Sequence, residues 1–438
     1  MALAAGWPSR RFYNTRALFS GRVSAAKMNA ATLKTPRRAA LAFVFVTVVL
    51  DMLAVGMIIP VLPKLVTNFM GGDTSRAAEV FGLFGTVLAL MQFIFSPVLG
   101  GLSDRFGRRA VILVSNFGLG FDYLLMAMAP NLEWLFVGRV ISGITAASIP
   151  TAFAYIADVT PPEKRAGAFG MVGAAFGMGF ILGPALGGLL GILSPRLPFW
   201  VAGGLSLSNA MYGLFVLPES LAPENRAKFT WAKANPIGSL ALLRAHKGLL
   251  GLAVILFLIN LAHEVLPSTF VLYADYRYHW GSGMVGVTLA TVGVLAAVVQ
   301  GGLANAAVLR FGEQRVVLLG LLFGMVGFAI YGLAGTGLLF WGGTPFMALW
   351  GLAGVALQGL MTRRVASSEQ GRLQGANSSL KGITGLIGPG LFTMTFASFI
   401  KPENSWHAPG APFLLAGFLV AAGLVAAWMF TEAHEPAK

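Results

Sequence analysis

Six ionisable residues stand inside long apolar stretches of this chain: Asp51, Asp122, Arg139, the neighbours His263 and Glu264, and Lys381. A charge in hydrocarbon costs on the order of 3 kcal/mol on insertion scales, so each needs an opposite charge, a water-filled cavity or a proton. Taking up a proton removes the charge that hydrocarbon penalises, which makes the carboxylates Asp51, Asp122 and Glu264 candidate proton carriers. Asp51 lies roughly 16 Å along its helix, close to a bilayer midplane. A carboxylate capping a broken helix, or paired with a cation, is the alternative for it. Asp122 and Arg139 fall at nearly equal depths on consecutive helices joined by a very short loop, so they are predicted to pair. That pair either holds a hairpin together or is disrupted by proton or substrate. His263 and Glu264 project about 100° apart on a helix; Glu264 is the better second proton site, and His263 either bonds a neighbouring helix or borders a cavity. Lys381, nine residues beyond Arg372, is a candidate counter-ion to an acid or an anionic ligand group.

The elements that carry these groups are membrane helices. Hydrophobic residues make up 56% of the 438 and charged ones 11%, more apolar content than a soluble core of this length can bury. Stretches of roughly 20 apolar residues, enough to cross a bilayer, fall near 40–62, 80–101, 110–130, 132–156, 167–191, 198–217, 249–274, 284–304, 315–335, 339–361, 373–398 and 411–430. Twelve helices put both ends of the chain on one side. The tails and loops on that side hold 24 Lys and Arg, while the opposite loops hold only Lys64, Arg76, Arg196, Arg277 and Lys401. This asymmetry places both termini in the cytoplasm and accounts for the net charge of +14 without nucleic acid. No cysteine is present and the five histidines are scattered, so no metal site is expected. Hydrolytic triads and nucleotide-binding loops are also missing, and no residue is assigned a catalytic role.

The chain repeats itself. Arg105-Phe106-Gly107 recurs as Arg310-Phe311-Gly312, and Gly183-Pro184 as Gly388-Pro389, both 205 residues later. The expected organisation is a basic N-terminal extension at 1–38, a six-helix half at 39–217, a polar, basic cytoplasmic linker at 218–247, a second six-helix half at 248–431 and a tail at 432–438. The extension carries eight cations and no acid; it reads as a disordered tail, an untranslated stretch before Met28, or a presequence-like segment. An amphipathic surface helix is expected in Ile237–His246.

Gly101-Leu102-Ser103-Asp104-Arg105-Phe106-Gly107-Arg108-Arg109 resembles the helix 2–3 motif of the major facilitator superfamily. Arg139–Gly143 resembles its helix 4 motif, and Gly179, Gly183, Pro184, Gly187 and Gly188 resemble its helix 5 antiporter motif. The segments Leu50–Pro63, Phe121–Leu125, Val137–Thr145 and Ile156–Thr160 are more narrowly similar to the tetracycline/proton antiporters. The resemblance implies an all-α membrane protein of the major facilitator fold, with twelve transmembrane helices in two pseudo-symmetric halves. It implies a secondary transporter of a bacterial inner membrane, not an enzyme, with no cofactor and the proton gradient as its driving force. Its partners would be protons, a hydrophobic drug such as tetracycline and the bilayer, with no nucleic acid and a functional monomer. It puts Gln92, Asn260, His263 and Gln300 around a central cavity, where substrate and proton compete near Asp51 and Glu264. Phe153, Phe176 and Trp350 are candidate faces for a flat drug. Asp104, Arg105, Arg108, Arg109 and Asp158 become a gate, and the helix 5 glycines a surface on which the halves slide or only pack. Asp104 would cap a helix or pair with Arg108, Arg105, Arg310 or Arg315. One position departs from the family: Gly324 stands where helix 9 of those antiporters carries an acid. A carrier for a cellular metabolite, or a receptor that does not transport, are the alternatives.

Overall fold

A computed structural model describes residues 34–227, 240, 242–243, 247–366 and 369–431. Among them twelve helical segments are long and apolar enough to cross a membrane. They are α1a (Lys34–Ile58) and α1b (Leu62–Phe69), α2 (Thr74–Phe106), α3 (Arg108–Met128), α4a (Leu132–Thr145) and α4b (Ser148–Val159), α5 (Pro162–Leu193) and α6 (Leu197–Val216). The second half comprises α7a (Lys247–His263) and α7b (Val265–Tyr278), α8 (Ser282–Phe311), α9 (Glu313–Leu333), α10 (Gly337–Arg363), α11 (Gln370–Ile400) and α12 (Ala411–Thr431). The protein is a multi-pass, all-helical membrane protein. Most of residues 237–246, where an amphipathic helix is expected, lies outside the described residues, as do 1–33 and 432–438.

Local chemistry sets the boundaries. Asp73 accepts the Arg76 amide at 3.1 Å and starts α2 at Thr74, some six residues before the apolar run suggests, because a capping carboxylate satisfies an otherwise orphaned N–H. α2 also runs on to Phe106, so the basic motif is not a loop. All of it is helical except Gly107, whose φ of 109° only glycine adopts readily. Gly312 repeats that turn between α8 and α9 with φ 79°, which is why Arg-Phe-Gly occurs twice. α1 breaks at Ile59-Pro60-Val61, where proline withholds its N–H, and α7 breaks at Glu264, 205 residues after Ile59. α4 breaks at Ala146–Ala147, whereas α10 runs without interruption.

The halves meet along two seams. On α2 and α11, Ser75 bonds the Ala397 carbonyl at 3.3 Å, and Gly85 and Gly382 admit Pro389 and Phe93. On α5 and α8, Gly188 lies against Gly286 and Ser282. Two ion pairs cross between the halves at the same end, Lys64–Asp275 at 3.1 Å and Lys401–Glu79 at 2.8 Å. Glu79 holds the Lys401 ammonium above the usual lysine range by hydrogen bond and charge. Towards the opposite end, which carries the Gly107 and Gly312 turns and is called the tip end below, the seam opens. Gly167, Gly170, Gly173 and Gly177 continue the contacting face of α5, and a side chain added at any of them would meet nothing within 4 Å. The bundle is sealed at its far end and parted at its tip end.

Candidate functional site

Between the halves lies a cavity of about 710 Å³, walled by α2, α4, α7 and α11. Its faces are largely apolar, with the aromatic side chains Phe81, Phe84 and Phe93 on α2. The charged groups in its wall are Arg139, Glu264 and Lys381, and Gln92 and Ser268 add neutral polar contacts. A concave apolar chamber with a few convergent polar groups is the usual form of a small-molecule site. Glu264 and Lys381 share the chamber without a direct ion pair, since no contact within 4.0 Å joins them. Each is thus available to a ligand.

Arg139 couples this chamber to the interior of the first half. Its Nη2 lies 3.5 Å from Asp122 Oδ2 and 2.9 Å from Met126 Sδ. Asp122 is fully buried and also accepts the Ser142 hydroxyl. The expected pair is therefore formed, with one member facing the cavity and the other sealed behind it. Gly138 leaves the room for this, because a Cβ there would come within 2.6 Å of Asp122 Oδ1.

Several expected liners stand elsewhere. Of the four polar candidates only Gln92 borders the chamber. The break at Glu264 interrupts the register of α7, so Glu264 and Ser268 face the cavity while Asn260 and His263 do not. His263 instead stacks on Trp350 with ring centroids 5.9 Å apart. Gln300 sits in a π-helical turn, Val299–Leu303, and lies against Gly351 of α10. Asp51 does not share the cavity with Glu264: it is 2% exposed and bonded to Asn209 Nδ2 at 3.3 Å, inside the first half. Of the aromatic candidates, Phe153 packs at a tilt against Phe169, Phe176 stacks on Phe180, and Trp350 is buried. The cavity's own rings, Phe81, Phe84 and Phe93, lie within the apolar run near 80–101, and no sequence signal sets them apart from the other phenylalanines of the chain.

At the tip end Arg108 pairs with Asp104 and, through Nε, with Asp158 at 3.1 Å. Asp158 also accepts the Ser220 hydroxyl at 3.0 Å, and Glu219 accepts the Arg108 amide at 2.8 Å. Asp104 has its partner within its own turn, not in Arg310 or Arg315. Arg105 stacks on Phe106, and Arg109 donates to the Leu214 carbonyl at 2.6 Å. In the second half Glu313 pairs with Arg363 at 3.1 Å. Those residues stand 205 positions after Arg108 and Asp158. The same clamp, tying the start of one helix to the end of the next, occurs in both halves with its charges reversed. The helix 5 glycines divide: Gly179, Gly183 and Gly187 pack on Met52, Gly56 and Met57 of α1a within one half, and Gly188, with the Pro184 carbonyl, reaches across to Gly286 of α8. Pro184 packs at Gly56.

The family model described as Major Facilitator Superfamily matches residues 44–389. The chain belongs to the major facilitator superfamily. Its relatives include tetracycline resistance proteins: class C of Escherichia coli is 36% identical over 381 residues, covering 86% of this chain and 95% of that one. Class B, also of Escherichia coli, is 36% identical over 361 residues, covering 82% and 89%. Among solved structures the fold matches the human organic anion transporter MFSD10 (TETRAN), with TM-score 0.66 and 22% identity over 90% of this chain and 99% of that one. It also matches a bacterial homologue of the human lysosomal transporter Spinster in an inward-facing, unoccupied conformation, with TM-score 0.71 and 16% identity over 92% and 100%. This facilitator is a transporter similar to the tetracycline resistance proteins. Its departure at Gly324 has a steric basis, since a Cβ there would lie 2.7 Å from Trp350 Cγ. The indole that faces His263 thus fills the place where the resemblance puts an acid.

Proposed function

We propose that this protein exports flat, amphipathic drug molecules in exchange for protons, by alternating access to the cavity between its halves. The observation that carries the reading is Arg139, which stands in the cavity wall while holding the buried carboxylate of Asp122. Protonation of Asp122 removes the charge that holds Arg139 in place and so alters the cavity wall that the substrate meets, which couples proton and substrate without contact. Glu264 is the second proton site and Lys381 its counter-charge in the same chamber. The rings of Phe81, Phe84 and Phe93 receive the flat body of the drug. The excess of Lys and Arg at the tip end supports a cytoplasmic tip in a bacterial inner membrane, and the parted seam then faces inward.

Closing the tip end requires a second arrangement of the clamps. A pseudo-twofold axis brings equivalent residues face to face, so identical clamps would present like charges to each other. The reversed pairs, Arg108–Asp158 and Glu313–Arg363, instead present Asp158 to Arg363 and Arg108 to Glu313. Partner exchange between these pairs is the gate, and the far-end pairs Lys64–Asp275 and Lys401–Glu79 break as it closes.

A carrier for an anionic metabolite is the second reading. It is favoured by the two cations against one acid in the cavity wall and by Trp350 at the family's acid position.

Everted vesicles with an imposed pH gradient, offered tetracycline and a panel of polycyclic drugs and organic anions, test both. Uphill uptake of a drug, collapsed by dissipating the gradient, is expected. Gradient-independent uptake of organic anions alone would refute proton-driven drug export.

A further inference from the structure

The first half contains a layer of buried polar groups that its packing does not explain. Helix registers bring the layer together. Between α3 and α4, Asp122 bonds Ser142 and Gly118 faces Thr145; one further turn along this antiparallel pair puts Ser115 opposite Ser148, just past the break at Ala146–Ala147. Between α3 and α6, Gly120 faces Leu207 and Leu113 faces Gly213, which puts Asn116 level with Ala210 and beside Asn209. Asn209 accepts the Thr47 hydroxyl at 3.1 Å and donates to Asp51. Asp51, Ser115, Ser148, Asn116 and Asn209 therefore occupy one level of the half. Asp122 and Arg139 lie about 10 Å beyond, seven residues further along α3.

Polar atoms in this layer, and between it and the Asp122–Arg139 pair, lack a protein partner. They are Asp51 Oδ2, Ser115 Oγ, both amide atoms of Asn116, Ser206 Oγ, Asp122 Oδ1 and Arg139 Nε. Ser115, Asn116 and Asp122 are 0% exposed. Each buried orphan costs about 1–3 kcal/mol, and a whole layer of them is rare in a folded protein. The second half shows that the packing itself does not need them. At the positions 205 residues later stand Leu256 for Asp51, Gly320 for Ser115, Leu321 for Asn116, Gly327 for Asp122 and Ala353 for Ser148. There a single apolar cluster runs through the bundle, whereas in the first half two clusters, one around Val48 and Met52 and one around Ala54 and Met57, flank this layer.

We infer that the layer is a hydrated internal site, holding a short file of water that carries protons between Asp122 and Asp51, with Ser115 and Asn116 as its positioning residues. Buried water typically makes about three hydrogen bonds, which matches the supply of orphaned donors and acceptors. At a hydrogen-bond spacing near 2.8 Å, a ~10 Å gap takes roughly three molecules. The step moves one proton and nothing else. Protonated Asp122 releases its proton to the adjacent water as Arg139 closes on its carboxylate, each water passes one on, and the Asp51 carboxylate takes the last. The inference rests on the proton-coupled reading above.

The test uses the full-length protein. Hydroxyl radicals made by radiolysis label side chains beside trapped water even when these are buried. Labelling at Met52, which follows Asp51 in the chain and flanks the layer, is expected to exceed that at Met361, 0% exposed in the second half's apolar cluster. Asn116→Leu and the milder Ser115→Ala are expected to reduce it. In vesicles these variants should slow gradient-driven uptake about tenfold and leave substrate exchange unchanged. Met52 labelling no higher than at Met361, or unchanged in both variants, would overturn the water file, as would full uphill transport in both variants while Asp51→Asn abolishes it. Full uphill transport in Asp51→Asn itself would overturn the coupling reading, and the relay with it.

Discussion

The Asp122–Arg139 pair predicts an unequal double-mutant cycle. Two unit charges 3.5 Å apart attract by about 4.7 kcal/mol at an effective dielectric of about 20. Screening takes away little, since the side chains are 0% and 10% exposed. Removing one partner of a buried pair costs about 3–5 kcal/mol, most of it from the charge left behind. Here the two residues differ: Arg139 borders the cavity and can turn to water, while Asp122 is sealed. Asp122→Asn is therefore expected near the lower figure and Arg139→Gln near the upper. The double variant, an amide pair able to hydrogen-bond, should recover about 3 kcal/mol of the summed loss. Thermal unfolding in detergent, followed by tryptophan fluorescence, reads this out at about 2 °C per kcal/mol or less for a chain of this size. Uphill transport should stay lost in the double variant, because neither amide exchanges a proton. An interaction term below about 0.5 kcal/mol, or Arg139→Gln no costlier than Asp122→Asn, would refute the reasoning.

Two further outcomes follow from the packing. Exchanging the second clamp, Glu313→Arg with Arg363→Glu, keeps an ion pair within its half but sets like charges across the axis. Folding should be unaffected while the tip end fails to close, and adding Arg108→Glu with Asp158→Arg should restore transport; cross-linking of introduced cysteines in this cysteine-free chain reports closure, and unimpaired closure in the first double variant would refute partner exchange. Gly324→Asp should destabilise the bundle by about 3 kcal/mol or more, since it forces a carboxylate against Trp350. Adding Trp350→Ala should recover much of this, and a melting temperature that Gly324→Asp leaves unchanged would show that the site is not filled.

Much of this protein was legible in its residues. Twelve apolar runs specify twelve helices, because hydrocarbon leaves the backbone no other partner than itself. The 205-residue echo of Arg-Phe-Gly marks two halves, because a turn at positive φ requires glycine in each. The matched depths of Asp122 and Arg139 foretold their pair, because rise per residue is nearly constant along a helix. What faces what was not legible. Asn260 and His263 left the cavity when α7 broke at Glu264, and α2 gained Thr74–Glu79 when Asp73 capped it early. One carboxylate changes a helix boundary by two turns, and no periodicity records that. Asp51, expected beside the cavity, lies behind its wall against Asn209, 158 residues away. The reversed charges of the two clamps are present in the sequence, but become a pair of pairs only when each helix start meets the end of the next. Depth along a helix is a local property of the chain, whereas the azimuth of a side chain depends on breaks, caps and neighbours that only the assembled bundle supplies.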